Sequence, residues 1–286
     1  KVPFGIAQMG KSFRNEITTE HYIFRSCEFE QMEMEFFIEP GTQKGWLKYW
    51  RDKRLEWWKS FANEPNKFIY RAHEKEELAH YADACYDIEY EYPWGFDELE
   101  GVASRTNYDL KKHAEYSGAK LSYFDPHKQN PITGKNGWRY TPFVIEPAAG
   151  ATRGLLVYLL DAYHEETVKD AKGNDSIRKV MKLHPKLAPI KAAVLPLVKK
   201  EGLPEIARNI VSNFFKAGIN IKYDEQHAIG KRYRRHDEAG TPYCLTIDGQ
   251  TKEDGTVTIR DRDTMSQERI PANEALQIVQ TRLINS

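Results

Sequence analysis

The chain has 286 residues, of which 40% are hydrophobic and 12% aromatic, and its 42 Lys plus Arg equal its 42 Asp plus Glu. That length suits two domains of ordinary size, each with its own core, and the even charge balance excludes a general polyanion-coating role, so any nucleic-acid contact must be local. No apolar run is long enough to span a bilayer, the first residues lack a secretory pattern, and the scattered Cys27, Cys85 and Cys244 give neither a disulfide framework nor a paired zinc spacing; the expectation is a cytoplasmic protein with reduced, structural thiols.

The first segment reads as two antiparallel strands joined by a loop. A two-residue period puts Arg14 and Glu16 on one face, and Phe29, Gln31 and Glu33 on one face of the returning strand. A bound triphosphate needs fixed guanidinium forks, for which Arg14 and the loop residue Arg25 are candidates. Taken alone, an Arg-x-Glu pair is more commonly a surface ion pair of small energetic weight. The spacing of Trp46, Leu47, Trp50, Trp57, Trp58 and Phe61 then predicts an amphipathic helix over about 44–62, with its tryptophans in packing roles.

A shorter helix is expected over about 74–84, followed by a strand with Tyr86, Ile88, Tyr90 and Tyr92 on one face and Asp87, Glu89 and Glu91 on the wet one. Pro93-Trp94-Gly95 breaks that strand. The next extended segment, Glu98 to Ser104, places Glu98 and Glu100 on a shared face. Carboxylates so close repel unless a cation lies beside them: either magnesium bridging triphosphate oxygens, or Arg105 or a lysine in a structural role.

Residues from about 125 to 138, rich in Pro, Gly, Asn and Lys, read as a surface loop. The strand from Phe143 to Ala148 groups Val144, Glu146 and Ala148, and Gly150 permits a tight approach before a helix marked by Leu155, Leu156, Leu159 and Leu160. Arg153 sits at that helix start, where the dipole disfavours a cation, which supports a ligand role for it. The charged tract from His164 to Lys186 reads as a linker or solvent-facing hairpin.

Beyond Ile190, strands and helices alternate. Helices are expected over Pro204 to Ala217, Ile229 to Ala239 and Ala272 to Ile284, and strands over Ile219 to Tyr223, Tyr243 to Ile247 and Thr256 to Arg260. Within this region Lys231, Arg232, Arg234 and Arg235 surround Tyr233, either as a solvated helix face or as a local nucleic-acid contact.

These stretches carry a family resemblance. Gly5 through Ile17, Phe24-Arg25 and Glu28-Phe-Glu-Gln-Met-Glu33 resemble motif 2 of the class II aminoacyl-tRNA synthetases, in the version of the dimeric glycyl-tRNA synthetases. Glu98-Leu-Glu-Gly101, Arg105-Thr106, Val144-Ile-Glu-Pro147 with Arg153, the run from Ile229 to Glu238, and Asp254 through Met265 continue the likeness in order along nearly the whole chain. The resemblance implies an α+β catalytic domain built on an antiparallel sheet over residues 1–186, then an α/β anticodon-binding domain with a mixed sheet over 187–286.

It further implies a glycine-tRNA ligase that forms glycyl-adenylate from glycine and ATP with Mg²⁺, then transfers glycine to tRNA-Gly. In that reading Arg14 and Arg153 are catalytic. ATP is held by Arg14, Glu16, Arg25, Phe29, Glu98, Glu100 and Arg153, with Glu100 reaching magnesium through the nucleotide. Glycine meets Glu33, Glu146, Ala148 and Arg14, and tRNA meets Lys231, Arg232, Arg234 and Arg235. Ala148, Thr152 and Asn107 depart from the Ser, Asp and Asp that the family carries at those places. Nothing in the chain resembles motif 1, through which such enzymes form homodimers. The expectation is a part of a longer polypeptide, since half a sheet leaves a long unpaired edge and an open apolar face. A non-catalytic, nucleic-acid-binding relative or accessory subunit is the alternative; a magnesium phosphohydrolase around Glu98 and Glu100 lacks a water-activating base.

Overall fold

The computed structural model describes residues 1–169 and 173–286. The chain divides into two compact units, Lys1–Ser60 with Glu64–Val157, and Phe61–Asn63 with Tyr158–Ser286. The first contains strands β1 (Phe4–Phe13) and β2 (Glu28–Ile38), helix α1 (Gln43–Lys59), β3 (Phe68–Ala72), β4 (Ala84–Tyr92), β5 (Gly95–Thr106), α2 (Tyr108–Ser117), β6 (Tyr123–Gln129), β7 (Asn136–Tyr140), β8 (Phe143–Gly150) and the start of α3 (Ala151–Ala162). Six strands form one antiparallel sheet in the order β1-β2-β8-β5-β4-β3, as the resemblance implied.

Helix α1 covers one face of this sheet with the tryptophans that its spacing singled out. Trp58 and Leu47 are buried, and the rings of Trp46 and Trp50 lie 4.8 and 5.2 Å from that of Phe36 on β2. Gly154 allows α3 to approach them, because a Cβ there would come within 2.8 Å of the Trp58 ring. At the other end of the sheet, β1 pairs only with β2 among the described residues and leaves Phe4, Ile6, Met9 and Phe13 exposed.

Three expectations for this unit are corrected. Residues 74–84 form turns rather than a helix, because their side chains have other partners: Glu77 pairs with Arg71 and accepts the Glu74 N–H, and Tyr81 lies 4.0 Å beneath the Arg105 guanidinium. The expected loop at 125–138 belongs largely to the β6–β7 hairpin. Its strands are held by Tyr123 against Tyr140 and Arg139 over Phe124, and its turn by the Asn130 Oδ1, which accepts the Ile132 and Thr133 N–H groups. In β5 the register shifts between Glu98, opposite Glu89, and Glu100, opposite Ile88, so Leu99 is an unpaired bulge residue. The period-two argument that placed Glu98 and Glu100 together therefore fails.

The second unit contains the hairpin β9 (Tyr163–Lys169) and β10 (Asp175–Met181), then β11 (Ala192–Pro196), α4 (Leu203–Lys216), β12 (Ile221–Tyr223), α5 (Ile229–Glu238), β13 (Tyr243–Ile247), α6 (Gly249–Asp254), β14 (Thr256–Asp261), β15 (Gln267–Pro271) and α7 (Ala275–Asn285). Residues 170–172 of the charged tract lie outside the described residues. The five-stranded sheet, β12-β11-β13-β14-β15, is mixed: β11 runs parallel to β12 and β13, and the other pairs are antiparallel. Leu203, Ala207, Ile210 and Phe214 form a helical stripe of α4 packed with Ala275 and Val279 of α7 over Val194, Ile221 and Leu245. This is the expected α/β architecture, although here the hairpin groups with it and not with the unit of the antiparallel sheet. Among the described residues no helix is long and apolar enough to cross a membrane.

Candidate active site

The sheet face opposite α1 carries a hollow of about 320 Å³. Arg14, Glu16, Arg25, Phe29, Glu98, Glu146, Ala148 and Arg153 all line it. Arg14 and Glu16 reach it from beyond the end of β1 rather than from a strand. The β1–β2 ladder stops at Phe13 opposite Glu28, the Arg14 N–H still donates to the Cys27 carbonyl at 2.9 Å, and the Glu16 N–H turns back to the Arg14 carbonyl. The loop between the strands is pinned by a Glu20–Arg25 bridge, by left-handed backbone at His21 and Tyr22 (φ 49° and 61°), and by the His21 ring stacked 3.9 Å from Trp94.

Each of two guanidinium groups at the hollow lies over an aromatic ring. Arg14 sits 5.3 Å from the Phe29 centroid, and Arg153 sits 4.3 Å from that of Phe24. Arg153, in the first turn of α3, also donates through Nη1 to the Glu98 carbonyl at 2.8 Å and lies 3.5 Å from its carboxylate. These contacts hold a cation where the helix dipole alone would not favour one.

An acidic cluster adjoins the hollow, of which Glu146 lines it and Glu33 and Glu35 do not. Glu33, Glu35 and Glu146 bring carboxylate oxygens within 4.8 Å of one another. Gln31 Nε2 donates to Glu33 at 2.5 Å, and Arg105 binds Glu146 at 3.0 Å and Asp109 at 2.8 Å. Burial, then the neighbouring Glu146, raises the Glu33 carboxyl above the usual range. Burial and a hydrogen bond with Glu146 push Glu35 up to about 8. Glu35 was missed in the sequence, although it follows Glu33 by one strand period. Arg105, which with a lysine was the structural alternative to magnesium beside Glu98 and Glu100, pairs with Glu146 and Asp109 instead.

Glu100 does not belong to the hollow. It is 1% exposed on the α1 side, where Arg54 donates to both its oxygens at 2.7 and 2.9 Å and Trp58 Nε1 donates at 2.5 Å. Those donors occupy the carboxylate, so its assignment to a nucleotide-bound magnesium is withdrawn; the bulge at Leu99 is the physical reason. Asp87 and Glu89 are likewise corrected. They are buried rather than wet, and Arg71 bonds both, with His73 2.7 Å from Asp87.

Comparison with known proteins adds three findings. A family described as an anticodon binding domain matches residues 191–282. Glycine–tRNA ligases of Treponema denticola and Borrelia hermsii are 51% and 50% identical to the chain over its full length. Over its whole length the chain is similar to glycine–tRNA ligases. It spans 61% and 62% of those two relatives. The structure of a prolyl-tRNA synthetase from Cryptosporidium parvum, complexed with L-proline and AMP, shares the fold at a TM-score of 0.66 and 18% identity, covering 99% of this chain and 56% of that one.

The four cations of α5 have unlike surroundings. Lys231 is exposed. Arg232 is 2% exposed and donates to the carbonyls of Pro196, Leu197 and Asp224. Arg235 pairs with Asp224 at 2.9 Å, and Arg234 reaches Ser176 Oγ at 3.3 Å. Arg232 is therefore a buried structural cation and is removed from the surface that could meet tRNA.

Proposed function

We propose that the chain supplies the catalytic and anticodon-binding parts of a glycine–tRNA ligase that uses ATP with Mg²⁺, glycine and tRNA-Gly, and that acts in the cytoplasm as a homodimer. The observation that carries the reading is the convergence of Arg14, Arg25 and Arg153 on one hollow that Glu146 also lines, with Glu33 within 4.8 Å of Glu146 behind it. Guanidinium forks suit phosphate oxygens, and paired carboxylates suit a small ammonium.

In the first step the glycine carboxylate attacks the α-phosphorus of ATP and pyrophosphate leaves. In the second a terminal hydroxyl of tRNA attacks the adenylate carbonyl and AMP leaves. Neither step needs a protein nucleophile, so the residues contribute alignment and charge stabilisation. Arg14 would bridge the carboxylate and the α-phosphate, where negative charge grows. Arg25 and Arg153 would hold the outer phosphates, and Phe29 offers its ring to adenine. Glu98, a half-exposed carboxylate at the rim beside Arg153, suits a hard ion shared with phosphate oxygens, and such an ion would offset charge on the departing pyrophosphate.

Glycine offers no side chain to recognise. Its ammonium loses water on binding and needs charged acceptors, a role for Glu33 and Glu146. Larger amino acids would be excluded by crowding near the α-carbon, to which Ala148, lining the hollow without a hydroxyl, contributes less than a Ser there would. A non-catalytic relative would be expected to lose its phosphate-gripping arginines, whereas all three stand at the hollow.

The test is exchange of pyrophosphate into ATP with glycine, alanine or serine. Exchange with glycine is expected, and Arg14→Ala should lower it by about 10²-fold or more with the melting temperature unchanged. Undiminished exchange in that variant, or none with any amino acid, rejects the reading.

A further inference from the structure

One group of side chains on the wall of the hollow has no part in the proposed ligase reaction. His73, just beyond β3, and Cys85 and Asp87, on β4, place an imidazole nitrogen, a sulfur and a carboxylate oxygen within 4.8 Å of one another, and all three line the hollow. Cys85 and Asp87 share a face because they are two apart on a strand. His73 is brought to them by its N–H, which donates to the Cys85 carbonyl at 3.0 Å.

We propose that His73, Cys85 and Asp87 bind one divalent cation of the zinc class, leaving a fourth coordination position open towards the hollow. Mixed sulfur, nitrogen and oxygen donors suit such a borderline-soft ion, whereas magnesium demands oxygen ligands. Three protein ligands with an open place is the arrangement of sites that accept an exogenous ligand, not of closed structural sites. An amine or a carboxylate entering the hollow carries the donor atoms to complete it.

The surroundings support the ion. Burial and the carboxylates of Asp87, Glu98 and Glu146 push the Cys85 thiol up to about 12, and those same charges create a potential that attracts a dication. A bound ion would reverse the preference and hold the sulfur as thiolate, with the proton released to solvent. Arg71 donates to Asp87 Oδ2 at 3.1 Å and is itself balanced by Glu77 and Glu89, so it orients the carboxylate as an outer partner. His73 Nε2 and Asp87 Oδ2 now stand 2.7 Å apart across a hydrogen bond. Tetrahedral nitrogen and oxygen ligands on such an ion are about 3.3 Å apart, so binding requires the half-buried imidazole to draw back from Asp87 by a few tenths of an ångström.

The site does not depend on the ligase reading and is tested without it. In the purified full chain carrying Cys27→Ser, which removes the exposed thiol, titration with Co²⁺ should give a thiolate-to-cobalt charge-transfer band that saturates at one equivalent. Zn²⁺ should abolish the band and Mg²⁺ should not. Adding Cys85→Ser should remove the band, and His73→Ala, at a turn position, should weaken Co²⁺ binding at least tenfold while the circular dichroism spectrum is retained. Absence of the band in the Cys27→Ser protein overturns the proposal. So does a band that survives Cys85→Ser, or full affinity in a folded His73→Ala.

Discussion

Glu100 and Glu35 are both acids on the central sheet, yet their surroundings set opposite expectations. Glu100 accepts from a guanidinium and an indole in a dry setting, so Glu100→Gln strands the Arg54 charge. We predict a loss of about 3 kcal/mol in unfolding free energy, read by urea denaturation, with the Mg²⁺ requirement of pyrophosphate exchange unchanged. A fully stable variant with an altered Mg²⁺ requirement would restore Glu100 to the nucleotide. Glu35 sits beside Glu146, and its folded value of about 8 lies above the ordinary carboxyl value of 4.5. An acid raised by folding binds more protons when native, so its contribution is full below the unfolded value and is lost as pH rises through the folded one. The melting temperature should thus decline between about pH 4.5 and 8 in the parent and decline less in Glu35→Gln. Parallel curves for the two proteins would rule this out.

At the scale of elements, local periodicity was readable and cross-strand register was not. The α1 tryptophans could be located because their pattern repeats within one segment, and α4 because Pro204 and Gly218 mark its ends. The bulge at Leu99 leaves no local mark, and it separates two acids that simple alternation unites. The burial of Asp87 and Glu89 was equally hidden, because it depends on Arg71 and His73 arriving from β3 and the turn after it. Lys231→Glu should weaken tRNA charging several-fold and leave pyrophosphate exchange intact, whereas Arg232→Ala should lower stability by about 2–4 kcal/mol, because the buried carbonyls of Pro196 and Asp224 lose their donor. The readouts are aminoacylation beside exchange for the first variant and chemical denaturation for the second. Equal loss of charging and exchange in Lys231→Glu would count against a tRNA role for α5.

Across the whole molecule, the two fold types were legible because a strand-rich first part gives way to alternating strands and helices, and each obeys its own hydrophobic period. The ring of arginines was legible from motif order, since Arg14, Arg25 and Arg153 stand in stretches that the family shares. The walls between them were less so: His73, Tyr81 and Cys85 come from segments whose meeting depends on tertiary closure. The equality of acids and bases in the composition also conceals where the cations are spent. Arg178 and Arg260 both bind Asp237 in the interior of the second unit, and Arg232 faces backbone carbonyls. Interior guanidinium groups shed no condensed counterions when a polyanion docks. For α5, Lys231, Arg234 and the partly exposed Arg235 remain to do so, and binding there should therefore respond weakly to ionic strength, with a log–log slope of about −3 at most.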